Sequence, residues 1–566
     1  MLNAARSARL CVLCVLLFPV GSEGNDLYVS PAGTPSGPGT MAQPYDLATA
    51  LAGQLGQPGD TFWLRGGSYV IGHVDTKIEG APGQPITFRQ LPAEWARIDG
   101  SLTFYESMGN VVLRDFELYS SDTNRLSAQM GAGFAPTDIR PVIGIACFSP
   151  NFSFINLVVH DHTRSGIYIS EVSTNTRVYG CVLYNNGWAS PDNAEGHSCY
   201  VQSRIGTREL ADNVAFNAAG VNFHIYENHS GGRLTGVTLD GNVAFHAGAL
   251  QAVRRYQDWI VGVDLPAISA DKIVLKNNMG YLPPASAAQD QVQIGRDGIN
   301  GSVALLNNYL PLGLSMNNWT IAAVAGNLFA AGSRNYIVNL DQSQVSLAAA
   351  WNGNSYFRSE TAGAFMGNSV EKDFPDWQNA TGYDRNSSYV VGQPGGTRVF
   401  IRPNRYEPGR ANLIVYNWNN LDTVPVDVSS VLTAGSAYEV RNAADFFAAP
   451  VLSGVFDGQP LSLPMTGLTV AAPNGPLLTP PPTGPAFNVF ILLPRFVRLQ
   501  ATAVDGQAQV SWTTNSGNWS LQFTENLPHN NGWTDDTNIP AVVGGQYAVT
   551  NLNVQRPRFY RLRAAQ

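Results

Sequence analysis

The chain is poor in charge. Only 13% of its 566 residues are charged, about half the usual share, which excludes long charged helices, coiled coils and helical bundles. Lysine is the scarcest basic residue, confined to Lys77, Lys272, Lys276 and Lys372. That scarcity limits which side chains can act as bases. No basic surplus exists either: the formal net charge is −8, so a sequence-independent nucleic-acid binder is excluded. Cysteine is nearly absent, with 5 residues. Cys147, Cys181 and Cys199 sit in apolar contexts (GIACF, YGCVLY, HSCYV) without zinc-ligand spacing, and are expected to be buried. No run after the first is long and apolar enough for a membrane helix.

That first run is MLNAARSARLCVLCVLLFPVGSEG. Arg6 and Arg9 precede an apolar stretch, Leu10–Val20, and a small polar end follows. This is the pattern of a secretory signal peptide over residues 1–24. The protein is therefore expected to be exported, extracellular or periplasmic, without a membrane span.

What the chain has in abundance is glycine (56), proline (35) and short strands. The middle is a degenerate repeat: INLVVHDH, YGCVLYNNG, ADNVAFNAAG, DGNVAFHAG, KNNMGYLPP, LNNYLPLG and AGNLFAAG echo one another, as in a solenoid. Between them lie SGIYIS, HSCYVQS, VNFHIYE and DQVQIG, each alternating with period two. Asn185, Asn213, Asn242, Asn278, Asn308 and Asn327 fall at equivalent corners, where an amide ladder would satisfy bending backbone. Short strands joined by Asn- and Gly-rich corners describe a parallel β-helix.

The opening segments DLYVSPAGTPSGPGT, PYDLATALA, QPGDTFWLRGGSYVIG, GQPITFRQ, ARIDGSLTF and NVVLRDFEL resemble right-handed parallel β-helix proteins of the pectin-lyase-like superfamily. The resemblance implies an all-β fold with the β-helix over 25–375; after it, VFIRPN, ANLIVYNW, VPVDVSSVL, AYEVRN and FNVFILLP read as strands at sandwich-like spacing, giving C-terminal β-sandwich domains at 376–496 and 497–566. The Pro-rich stretch PNGPLLTPPPTGP lies inside the first of these. The last 70 residues resemble a small β-sandwich at the C-termini of secreted bacterial proteins. The superfamily hosts lyases, hydrolases, epimerases, esterases and adhesins, so the fold alone names no reaction.

Six of the eight histidines lie between His160 and His246. Alternation turns Tyr168, Tyr200, Gln202, His224 and Tyr226 outward on consecutive coils, with Glu227 beside them. The following segment, ALQAVRRYQ, is expected to bring Arg254 or Arg255 to the same surface, and Gln293 comes from the rung after that. The resemblance suggests β-elimination on a uronic-acid polysaccharide. His224 would be the base, Tyr200 or Tyr226 the acid, and Arg254 or Arg255 the carboxylate neutraliser. His197 would orient or assist, while Tyr168, Gln202, Glu227 and Gln293 would bind sugar. Several β-helix lyases use a Lys base, and this face has none. Arg164, Arg204, Arg208 and Arg296 would complete a basic groove.

A carboxylate pair drawn from Asp161, Glu171, Asp192, Glu195, Glu227 and Asp258 is the hydrolase alternative. A non-catalytic carbohydrate-binding protein is the third. The sequence points to no definite cofactor; calcium, if used, would fall to Asp192, Glu195 or Glu227. HDH at 160–162 places two His on one strand face, but no third ligand follows, and no metal site is assigned. The expected partner is a polysaccharide, and the expected state a monomer.

Overall fold

A computed structural model describes residues 24–105, 109–131, 133, 135–253, 257–281, 291–331, 336–359, 363–495, 499–504, 507–513, 519–525, 533–543, 546–551 and 558–564. The signal-like residues 1–23 lie outside that set. The chain winds as a right-handed parallel β-helix with three stacks of strands. The first is a 12-stranded parallel sheet running from Asp26–Val29 to Ala348–Asn352. The second carries Glu117–Tyr119, Val158–His160, Val182–Tyr184, Val214–Phe216 and Val243–Phe245. The third carries Ile145–Cys147, Ile167–Ile169, Cys199–Val201, Phe223–Glu227 and Trp259–Val263. Parallel pairing continues to Ser388–Val391, which lies beside Ser355–Arg358.

The corner between the first and second stacks explains the repeated asparagines. A left-handed residue (Asp212, Gly241, Asn277, Asn307, Gly326 or Gly353) turns the chain, a conformation that Gly and Asn adopt at low cost. The next residue points inward. Asn213, Asn242, Asn278, Asn308, Asn327 and Asn354 each donate to the following rung at 2.8–3.1 Å, ending on Asp384. Each also donates to a carbonyl of the preceding rung, as Asn242 does to Leu210 O and Asn278 to Leu239 O, so buried backbone is satisfied. Asn185 is not a rung. It belongs to the next corner, donating to Ala471 O and accepting from Asn217. Cys181 takes the place before Asn213, to whose side-chain oxygen it donates its N–H. The three described cysteines are buried free thiols.

Beyond the coils, Thr397–Pro403, Ala411–Asn417, Phe487–Pro494, Ala437–Asn442 and Leu452–Val455 form an antiparallel sheet. One face packs on a two-stranded sheet through Leu413, Val415, Val440 and Leu463. The other carries Ile414, Tyr416, Phe487 and Val489 onto the second stack, against Tyr184, Phe216, Phe245 and Tyr281. Arg402–Asp212 (2.6 Å) and Arg405–Glu209 (2.7 Å) tie the rim. The Pro-rich stretch is a loop of this unit that reaches back to the coils, where Asn474 N–H donates to Asp161 at 2.8 Å. Two further antiparallel sheets end the chain and share a core of Val510, Trp512, Leu521 and Val549. Among the described residues no helix is long and apolar enough to cross a membrane.

Candidate functional site

Period-two alternation sends Ile167, Ile169, Cys199, Val201, Phe223 and Ile225 into the core, all at 0% exposure. Their neighbours Tyr168, Tyr200 and His224 stand in register on the outer face of the third stack. The rings form a row along the axis. Tyr105 faces Phe148 (6.1 Å), Phe148 faces Tyr168 (5.7 Å), and Tyr168 faces Tyr200 (5.4 Å). Tyr200 then stacks on His224 (5.0 Å) and His224 on Tyr226 (4.5 Å). Tyr105 and Phe148 extend the row beyond the residues marked by alternation. Each follows an inward-facing strand residue, Phe104 or Cys147, which was the available signal.

A buried hydrogen-bond relay sets the protonation of His224. The Val221 N–H donates to Nδ1 of His197 at 3.1 Å, so that nitrogen carries no proton. The His197 proton therefore sits on Nε2, which faces Nδ1 of His224 at 3.0 Å. Nδ1 of His224 must accept, so the neutral ring holds its own proton on Nε2. Burial, then His197 and Arg296, pull the His224 pKa well below its ordinary value, which keeps the ring neutral. His224 is thus a hydrogen-bond donor at Nε2, which is incompatible with its expected role as the base. His197 is 3% exposed and reaches the outer face only through its contact with His224. Glu195 lies 3.4 Å from its Nε2.

The tyrosines differ in their partners. Tyr168 donates to Gln202 at 2.6 Å. Burial, followed by Glu227 and Glu171, pushes its pKa up to about 12. Burial likewise raises the Tyr200 pKa, with Tyr168 and two carboxylates adding and Arg164 opposing. Tyr226 is 6% exposed and packs with Val221 and Ile260. Burial, then Asp264, raises its pKa against the opposing charge of Arg296, which lies 5.6 Å over its ring and 3.2 Å from Asp264. At 6% exposure Tyr226 offers a substrate little access, which counts against its expected role as the acid.

Several other expectations are corrected. Gln202 is 2% and Glu227 0% exposed, so neither meets a sugar. Glu227 Oε1 accepts from Asn228 N–H, His229 N–H and the His229 ring at 2.8–3.0 Å, pinning the turn after its strand. The rung after His224 is Trp259–Val263, which sets Ile260 beside His224 and Gln293 beside Ile260. An apolar residue therefore separates Gln293 from the histidine. Arg254 and Arg255 lie outside the described residues. Arg208 is 1% exposed and clamps the Ile205, Thr207, Ser170 and Glu171 carbonyls. Arg204 pairs with Glu171 at 3.5 Å. This leaves Arg164 as the cation whose field reaches both Tyr168 and Tyr200.

HDH does not present two histidines on one face. Asp161 is left-handed (φ 60°), which sends His162 inward to full burial, where its pKa falls to about 3. Asp192 accepts from Gly131 N–H and Ser190, away from the Glu227 network. Among the described residues no three His, Cys, Asp or Glu side chains converge to hold a metal.

Residues 27–258 match a family model described as "Pel9A-like, right handed beta helix region", which bears out the resemblance read from the opening segments. Among solved structures, the chain is similar to the pectate lyase Pel9A. Identity is 14%, coverage 66% of this chain and 80% of that one, and the TM-score 0.33. It is also similar to a GH136 lacto-N-biosidase from Eubacterium ramulus, at 13% identity, 65% and 67% coverage, and TM-score 0.37. A mannuronic-acid-specific family 6 polysaccharide lyase from human gut microbiota gives 13%, 61% and 78%, and 0.34. No curated protein matches the chain.

Proposed function

We propose that the protein is an exported carbohydrate-active enzyme that cleaves a uronic-acid polysaccharide by β-elimination on the Tyr200–His224 face. The observation that carries this reading is the relay Val221 N–H to His197 to His224, which holds an N–H donor on an open aromatic row beside the Tyr200 hydroxyl. Sugar rings present apolar faces to aromatic rings, and a row parallel to the axis suits a polymer lying along the coils. The matched family description and the lyases among the structural neighbours agree with a carbohydrate substrate.

In this reading the substrate carboxylate meets Arg164 and the His224 Nε2–H. Neutralising it acidifies the adjacent carbon, where negative charge develops in the transition state. Tyr200, as phenolate, takes that proton. The electron pair left behind forms the double bond and expels the glycosidic oxygen, to which Tyr200 returns the proton. One phenol then serves as base and acid, and is regenerated. His197 is a positioning residue that fixes the His224 tautomer.

The test is the activity of residues 25–566 on acidic polysaccharides, read in parallel as ultraviolet absorbance of unsaturated uronides and as reducing ends. Both signals should rise and be lost in Tyr200→Phe. Reducing ends without absorbance would replace elimination with hydrolysis. Glu195, 3.4 Å from His197, would then be the first carboxylate to replace.

A further inference from the structure

The structure has a built cleft away from the Tyr200–His224 face. It occupies about 930 Å³ between the early coils and the sheet unit that covers the second stack, within the usual range of about 300–1,000 Å³ for ligand pockets. One wall comes from Arg89, Trp95 and Arg114 of the coils. The other comes from Arg410, Arg441 and Phe447 of the sheet unit. The walls are fixed to each other, since Arg114 donates to Tyr406 O at 2.7 Å and Asn404 to Asn156 at 2.7 Å.

Its chemistry is specific. Five arginines line the cleft against four carboxylates. Two of those arginines, Arg89 and Arg114, converge on the single carboxylate of Asp115 at 2.9 and 2.7 Å, which leaves local positive charge. Arg410 is 6% exposed, and the Nε atoms of Arg410 and Arg89 have no acceptor among the described residues. Those two Nε atoms are themselves buried, so it is the excess of guanidinium over carboxylate in the lining that favours an anionic ligand, above all a carboxylate, which matches the planar fork. The aromatic component is Trp95 edge-on to Phe447 at 5.5 Å, with Phe447 38% exposed. Such a large exposed ring is a stacking surface for the apolar face of a sugar.

We infer that this cleft binds an acidic oligosaccharide, its carboxylates on the arginines and a ring on Phe447, as a site separate from the catalytic face. The ligand class is argued from the cleft itself; only its identity with the product or substrate of cleavage rests on the proposed function. Such a site would hold the polymer or retain its fragments while the coils act elsewhere.

Hydrogen exchange of the Tyr200→Phe full chain, with and without tetragalacturonate, tests this. Slowed exchange is expected in peptides spanning 89–95 and 439–447. Arg89→Gln and Phe447→Ala should each weaken that protection roughly tenfold in ligand concentration, as for loss of one guanidinium–carboxylate pair or one stacking contact. Phe447 is partly exposed, so its truncation leaves the fold in place as a control on Arg89→Gln. Maltotetraose, uncharged and of equal length, should give no protection. Absence of protection at 89–95 and 439–447, or protection unchanged in both variants, would overturn the inference. Protection confined to 197–202 and 223–227 would do the same while supporting the catalytic face, so the two readings fail separately.

Discussion

Two aromatic rows climb the same β-helix, and each contains a histidine. In the second stack, His160 lies between Tyr119 (5.6 Å) and Tyr184 (4.7 Å), followed by Phe216 and Phe245. In the third, His224 lies between Tyr200 and Tyr226. The environments of the two histidines are opposite. His160 bonds Asp161 at 2.8 Å and Glu117 at 3.1 Å. Although burial lowers its pKa, these two carboxylates outweigh burial and raise it. His224 meets another histidine, and its pKa is lowered. The covered row therefore holds a charged, paired imidazole beneath a docked sheet. The open row holds a neutral imidazole whose remaining proton sits on Nε2. A row of rings makes an interface in one place and a candidate site in the other, and what covers the row together with the histidine's partners decides which.

The largest expected separation of the rows is catalytic. Tyr200→Phe should lower turnover about a thousandfold, while Tyr184→Phe should leave it unchanged, as proton transfer accounts for factors of about 10²–10⁴. Unsaturated-product formation measures both. In urea unfolding the order should reverse. Phe216→Ala should cost about 3–5 kcal/mol because it opens a cavity under the docked sheet, whereas Tyr168→Ala should cost less and weaken polysaccharide binding. Removing one member of a buried charge network is expected to cost about 3 kcal/mol, so Glu117→Gln should destabilise the chain without changing KM.

Histidine titration distinguishes two buried histidines by sign. His160, with its pKa raised on folding, contributes stability that is complete below about pH 6.5 and is lost as pH rises through its folded value. His246 is buried, which lowers its pKa to about 4. It therefore opposes folding as pH falls from about 6.5, by about 2 kcal/mol at pH 5. His160→Gln should accordingly lose most stability near pH 5 and progressively less as pH rises through the folded pKa of His160, and His246→Gln should flatten the acid side of the curve. The smallest effect belongs to His197→Gln, expected to lower kcat about tenfold with KM unchanged, as for a group that positions another.

Much of this was legible from local chemistry. Alternation placed Tyr168, Tyr200 and His224 on one face, and turn chemistry located the Asn corners, because both depend on near neighbours in sequence. What escaped depends on distant ones. The inward turn of His162 follows from the left-handed Asp161. The burial of Gln202 and Glu227 arises where the turn after Glu227 folds back onto the strand end. The rung after His224 slipped because the long segment before Trp259 hid where the strand begins. The docked sheet was invisible because Ile414, Tyr416 and Phe487 alternate like core residues, and nothing local reveals which strand face meets another domain. The tautomer of His224 depends on the Val221 backbone N–H, a donor without any sequence signal.

The most direct measurement is the pH dependence of kcat/KM, followed by absorbance of unsaturated product. Because the Tyr200 pKa is raised, the phenolate fraction grows tenfold per pH unit, so log kcat/KM should climb with unit slope from pH 7 to beyond pH 9. A plateau across that range would contradict the account, because it is the behaviour of a base with a low pKa such as His224 or a carboxylate.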